Sequence, residues 1–197
     1  DGGIQEEISQ GGARIAAVLG LDNLIMFYDS NDIQLSTKTE EVMCEDTAAK
    51  YKAFGWEVIE INGNDIDQIR KAIETAKTVQ GKPTLIIGKC IMGKGALKAD
   101  GTAYEADCKT HGAPLGGDAF VNTVKNLGGD PENPFQIFDD VKELYANRAK
   151  ELQAICEERY AEEKAWADAN PEKAAQLTEW FSGKAPVIDW TKVQQKD

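Results

Sequence analysis

Asp1 supplies a carboxylate, Asn31 a side-chain amide and His111 the single imidazole of this 197-residue chain. Asp1 and Asn31 are hard oxygen donors. Mg²⁺ prefers such oxygens in an octahedron and keeps places for water and for phosphate oxygens of a ligand. A backbone carbonyl from the loop after Asn31, such as that of Ile33, would add a third. Gly2 and Gly3 let the backbone approach a diphosphate, and the start of the helix that follows favours an anion. An Asp and an Asn in loops also read simply as turn residues. His111 lies in a glycine-rich loop, followed by Gly112 and Pro114, and not on an apolar helix face. A functional imidazole and a structural hydrogen-bonding one are both open. Glu6 and Glu7 suit a first helical turn, where the dipole favours acids. Lys89, Lys94, Lys98 and Lys109 flank the same loop, as solvated charges or as a rim that attracts an anion. Cys44, Cys90, Cys108 and Cys156 form no C-x-x-C pair, so a structural zinc site has little support.

These groups need elements to bring them together. A helical pattern begins almost at the first residue, with Ile8, Ile15, Val18 and Leu19 at helical spacing and Gly20 as its stop. Gly11 and Gly12 share one face and predict close backbone packing against a neighbour. With no lead-in strand, an upstream strand of an α/β unit is expected. Residues 24–28 are a continuous apolar run, as in a strand buried on both faces of a parallel sheet. Residues 29–36 read as a loop, 45–54 as a helix stopped by Gly55, and 56–61 as a second strand. Asn64 or Asp65 caps a helix whose expected apolar face is Ile66, Ile69, Ile73 and Ala76. A third strand spans 84–90. Alternating strands and helices predict an α/β fold: a doubly wound, mainly parallel sheet with flanking helices. In such sheets ligands bind beyond the C-terminal strand ends, the edge where chain order brings Asp1, Asn31 and the His111 loop.

A glycine-rich stretch from 92 to 117 has the length of a functional loop. A helix is expected from 118 to 127. A long one follows from 138, with Val141, Leu144, Tyr145, Leu152, Ile155 and Cys156 as a core-packing stripe, broken at Asn170-Pro171. The expected organisation is an α/β domain over 1–134, a helical C-terminal extension of it over 135–183 and a linker over 184–197. Acids outnumber bases 34 to 22, for a formal charge of -12. That field repels nucleic acid. No apolar run reaches membrane-spanning length and no signal-peptide pattern opens the chain, which with reduced thiols fits a cytoplasmic protein.

The same residues carry a family resemblance. Asp1-Gly2 followed by Asn31 resembles the Gly-Asp-Gly…Asn motif of thiamine diphosphate enzymes, without its first Gly. Phe27-Tyr28-Asp29-Ser30-Asn31-Asp32-Ile33 is similar to the metal loop of transketolases, and so is Phe54-Gly55-Trp56-Glu57-Val58 at the second strand. Thr110-His111-Gly112-Ala113-Pro114-Leu115-Gly116 is the most specific match, to that family's Ser-His-Gly-Ala-Pro-Leu-Gly loop. The likeness runs from 1 to about 183. It departs at Glu7, where the family has Gly, and over 96–110, which is longer.

The resemblance implies thiamine diphosphate and Mg²⁺ as cofactors. Asp1, Asn31 and the Ile33 carbonyl would be metal ligands, and Gly2 would lie against the diphosphate. Met92 would line the cofactor pocket. His111 would be the catalytic histidine beside the thiazolium, and Glu6 would meet an acid of the partner subunit. The implied reaction transfers a two-carbon ketol unit from a ketose phosphate to an aldose phosphate. It needs a pyrimidine-binding domain of the same enzyme in a homodimer. The chain reads as a fragment without that domain, inactive alone. Alternatives are another thiamine diphosphate enzyme, such as dihydroxyacetone synthase or deoxyxylulose phosphate synthase, and a non-catalytic domain of this fold. A nucleotide-binding α/β domain is disfavoured, because neither G-x-x-x-x-G-K-[ST] nor a strand-to-helix G-x-G-x-x-G occurs.

Overall fold

Three apolar segments become the strands β1 (Ile25–Ser30), β2 (Glu57–Asn62) and β3 (Thr84–Lys89). The computed structural model describes residues 1–185 and 187–193. Among them the strands form one parallel sheet in the order β1-β3-β2. The register sets Phe27 opposite Ile86 and Ile86 opposite Ile59. β1 runs on through polar Asp29 and Ser30 because β3 still offers backbone partners there, pairing Ser30 with Lys89. The expected loop therefore starts two residues later than its composition suggested.

Helices cover both faces of this sheet. On one face α1 (Gly2–Gln5), α2 (Glu7–Val18) and α3 (Thr47–Phe54) contribute to a core of Ile4, Ala13, Ala16, Tyr28, Tyr51, Trp56 and Leu85. The Tyr51 and Trp56 rings meet edge to face, 5.3 Å between centroids, and the indole Nε1–H donates to the Ala13 carbonyl at 2.8 Å. Gly55 ends α3 at φ 101°, a conformation that leaves glycine the natural residue there. On the other face α4 (Ile66–Ala76) sets Ala72 and Ala76 against Ile86, with Ile25, Ile59 and Ile61 around them. The chain steps outward from β1 to β2 and then back to β3. A constant crossover hand then requires α3 and α4 to lie on opposite faces, as they do. This is the expected doubly wound α/β arrangement.

Several expected packing faces differ. Of the expected α4 face Ala76 is buried and Ile69 half-buried, but Ile66 is 70% exposed and Ile73 42%, and Ala72 is buried in their place. Alanines let the helix axis come close, and the strand isoleucines already fill the space. The same holds for α2, which buries Ala13 and Ala16 while Ile8, Ile15, Val18 and Leu19 are exposed. A β-carbon built on Gly11 or Gly12 would meet nothing within 4 Å, so the expected close packing at those glycines is not made among the described residues. The first helix is also interrupted. Glu6 is extended, at φ -62° and ψ 135°, and separates α1 from α2, which starts at Glu7.

The 92–117 stretch is ordered by a 3₁₀ turn at Cys108–His111 and by a bridge between Leu97 and Ala103. α5 (Gly117–Asn126) follows. The chain divides into two units, Asp1–Gln136 and Ile137–Asp197. The second holds α6 (Asp139–Ala169) and α7 (Pro171–Phe181), with Asn170 between them and Pro171 in the first helical position that proline suits. The expected core stripe of α6 is not buried: Leu144, Tyr145, Leu152, Ile155 and Cys156 are exposed and Val141 is half-buried. α7, of 11 residues, is too short to cover a 31-residue helix. Of the expected linker, residues 186 and 194–197 lie outside the described residues; Trp190–Lys192 forms a 3₁₀ turn. Among the described residues no helix is long and apolar enough to cross a membrane.

Candidate functional site

A cleft of about 910 Å³ opens at the C-terminal ends of all three strands. Asn31 follows β1, Asn62 ends β2, and Lys89 and Cys90 mark the end of β3; all four line it. Parallel strands place their loops on one edge, which makes that edge the natural ligand site. The ends of β2 and β3 are tied by the Ile91 N–H, which donates to Asn64 Oδ1 at 3.1 Å. Gly63 permits the approach: a β-carbon there would stand 2.9 Å from the Gly88 carbonyl carbon.

Asn31 and Ile33 line this cleft, whereas Asp1 lines a second pocket that shares Asp32 with it; hydrogen bonds join the three. The Asn31 N–H donates to Asp1 Oδ2 at 3.2 Å, and the Tyr28 hydroxyl donates to Asp1 Oδ1. The Ile33 N–H donates to Asn31 Oδ1 at 3.0 Å, and Asn31 Nδ2 donates to Asp29 at 3.1 Å. Ile33 is buried and its carbonyl accepts no hydrogen bond among the described residues. Between Asn31 and Ile33, Asp32 adopts φ 66°, and its carboxylate pairs with Lys89 from the end of β3. Asp32 and Ala106 are the two non-glycine residues with positive φ among those described, and both line the cleft. Such backbone strain gathers where surrounding structure over-determines a functional loop. The donor set is all oxygen: a carboxylate, an amide and a free carbonyl. It fits a hard cation such as Mg²⁺, with lone pairs to spare on both Asp1 oxygens.

The Tyr28 phenol sits above its usual pKa because it is buried. A hydrogen bond with Ser30 works against that rise, and Asp32 and Asp29 add to it. It is therefore a protonated donor at neutral pH. The sequence places Tyr28 in an apolar run and in the stretch that resembles a metal loop, with no role of its own. Its signal lay in strand alternation, which points Met26, Tyr28 and Ser30 to one face. Asn62 carries no signal in the sequence, Asn64 reads only as a candidate helix cap, and Asp32 only as one member of the metal-loop stretch.

Of the remaining candidates, His111, Met92, Gly2 and Glu6 are not among the residues that line the cleft. His111 is exposed at the end of its 3₁₀ turn. Its loop is held by Thr110, whose side chain lies against Gly93, and a β-carbon on Gly112 would reach Leu35 of the β1 loop at 4.0 Å. Met92 is half-buried, and its carbonyl accepts from the Ala106 N–H at 2.9 Å; Ile91 and Lys94, its neighbours, line the cleft in its place. Gly2 is exposed with open space where a β-carbon would go. Glu6 is exposed at the break between α1 and α2. Lys89 and Lys94 line the cleft, whereas Lys98 stacks its amine over the Tyr104 ring at 5.5 Å.

A family model described as transketolase, thiamine diphosphate binding domain, matches residues 1–186. The chain belongs to the transketolase family. Among its relatives, a probable transketolase of Streptococcus pneumoniae is 37% identical over 191 residues, covering 95% of this chain and 28% of that protein. A transketolase of Mycobacterium tuberculosis is 35% identical over 187 residues, covering 94% and 26%. A transketolase structure from Pichia stipitis, in complex with sedoheptulose-7-phosphate, superposes with a TM-score of 0.82 at 33% identity, over 98% of this chain and 28% of that one. One from Leishmania mexicana does so with a TM-score of 0.82 at 29% identity, over 100% and 29%. The chain thus spans little more than a quarter of the transketolases it matches. The shared fold extends to the helical second unit, since nearly the whole chain is covered.

Proposed function

We propose that this chain is the diphosphate- and metal-holding portion of a transketolase, which moves a two-carbon ketol unit from a ketose phosphate to an aldose phosphate. The observation that carries this reading is the meeting of Asp1, Asn31 and Ile33 beyond the end of β1. Their three oxygens would hold Mg²⁺, which would in turn anchor a diphosphate. Thiamine diphosphate, when bound, supplies the carbanion and the electron sink of the reaction. The chain's own residues bind and orient. Asn31 and Ile33 are fixed to each other by one hydrogen bond, so amide and carbonyl are set as a unit. Gly2 leaves the backbone open on the diphosphate side. Met92 would give an apolar wall beside the ring, and the exposed His111 imidazole can exchange a proton with a substrate hydroxyl. Glu6, exposed at a helix break, would meet an acid of the partner subunit's pyrimidine-binding domain in a homodimer.

The remaining length of the relatives supports a pyrimidine-binding domain in the same polypeptide, without which this chain would be inactive. Four free cysteines fit a cytoplasmic setting. Titration calorimetry of thiamine diphosphate, with and without Mg²⁺, tests the reading. Binding should need Mg²⁺ and should be lost in Asn31→Ala. Equal binding by parent and variant would remove Asn31 from the metal site.

A further inference from the structure

Asp1 caps α1 by position, yet its side chain makes no capping hydrogen bond to that helix. It turns back across 27 residues of sequence to Tyr28. Tyr28 is 8% exposed and belongs to the same core cluster as Ile4, Tyr51 and Leu85, so its position is set by packing on the sheet. The Asn31 N–H holds the second Asp1 oxygen. Each carboxylate oxygen thus has one protein donor and one lone pair left over. A short helix start gives Asp1 little support of its own, because α1 has only four residues. The rigid partner is the sheet.

We infer that Tyr28 is a positioning residue: its hydroxyl fixes the rotamer of the Asp1 carboxylate and aims the free lone pairs at the cation. This rests on the reading of Asp1 as a metal ligand. Tyr28 itself touches neither cation nor substrate. Partners that orient a metal ligand in this way commonly shift metal affinity by about 10–100-fold when removed. Asn31 contributes one donor through its backbone, which no substitution short of a disruptive proline removes, so the Tyr28 hydroxyl is the orienting group open to test.

The experiment uses the complete polypeptide that carries this chain, as parent, Tyr28→Phe, Asp1→Asn and the double variant. Tyr28→Phe keeps the ring and its packing and deletes only the donor. The readout is the Mg²⁺ concentration at half-maximal thiamine diphosphate binding, followed by calorimetry, with far-UV circular dichroism to verify the fold. Tyr28→Phe should raise that concentration roughly tenfold. In the Asp1→Asn background the same change should have no further effect, because the group being oriented is gone. An unchanged Mg²⁺ requirement in Tyr28→Phe, with Asp1→Asn strongly impaired, overturns the positioning role and leaves the metal reading standing. Additive effects in the double variant also overturn it, since they would assign Tyr28 a separate, structural part. An unchanged requirement in Asp1→Asn would overturn both readings.

Discussion

Asp32 concentrates the residue-scale argument. It stands between two candidate metal ligands at φ 66°, where an L side chain is uncommon and a β-branched one is strained. Its pairing with Lys89 is exposed and contributes little stability. The conformation itself turns the chain from Asn31 to Ile33. Asp32→Gly should therefore be tolerated, whereas Asp32→Val should cost about 1–3 kcal/mol in urea unfolding and weaken Mg²⁺-dependent binding. Nothing in the sequence signalled this, because Asp is common in any loop. Cys90 gives a second residue-scale test. Burial raises its thiol above the usual range, Asp29 beside it adds to the rise, and Lys89 and Lys94 offset part of it. The thiolate is the reactive form. Alkylation of Cys90 at neutral pH should thus be slower than that of the exposed Cys44 and Cys156, and should quicken as pH rises. Because Cys90 lines the cleft, Mg²⁺ and thiamine diphosphate together should slow it further. Mass spectrometry of labelled peptides reads all three rates.

At the scale of elements, the strands, the Gly55 stop and a cap at Asn64 or Asp65 were legible because they rest on local rules, and the structure selects Asp65. Asp65 accepts from the Asp67 and Gln68 N–H groups at 3.0 and 3.1 Å, and from the Gln68 amide at 2.9 Å. The backbone bond from Gln68 does most to hold its carboxyl below the usual carboxylate range. A carboxylate depressed in the folded state stabilises above its unfolded pKa, and loses that effect as pH falls through its folded value. Asp65→Ala should lower the melting temperature at neutral pH, with the gap to the parent closing toward acid pH. The buried faces were less legible. Periodicity selected Ile66, Ile69, Ile73 and Ala76 in α4 and the large residues of α2; Ala76 is buried and Ile69 half-buried, but the rest are exposed and alanines take most of the close contact. Hydrophobicity ranks side chains, whereas close approach ranks sizes, and a single sequence does not say which governs. The break at Glu6 belongs to the same class, since only tertiary contacts separate one helix there from two.

For the molecule as a whole, the candidate site is confined to one of its two units. Asp1, Gly2, Glu6, Asn31, Ile33, Met92 and His111 all fall within Asp1–Gln136, and so does every strand of the sheet. Both core clusters lie there too, so that unit carries its own buried interior. With a formal charge of -12 on the chain, an anionic diphosphate approaching Asp1 and Asp32 would meet repulsion that a Mg²⁺ held there, as proposed, would offset. Two outcomes follow for a polypeptide of residues 1–136. It should unfold in one cooperative transition, because its packing is internal to it. Its Mg²⁺-dependent affinity for thiamine diphosphate should equal that of the 197-residue chain, since no candidate ligand is removed. Calorimetric titration of the two side by side decides this. A shortened chain that stays folded but loses the affinity would mean that the helices after Gln136 complete the site, and their exposed apolar stripe would then be the place to look for how.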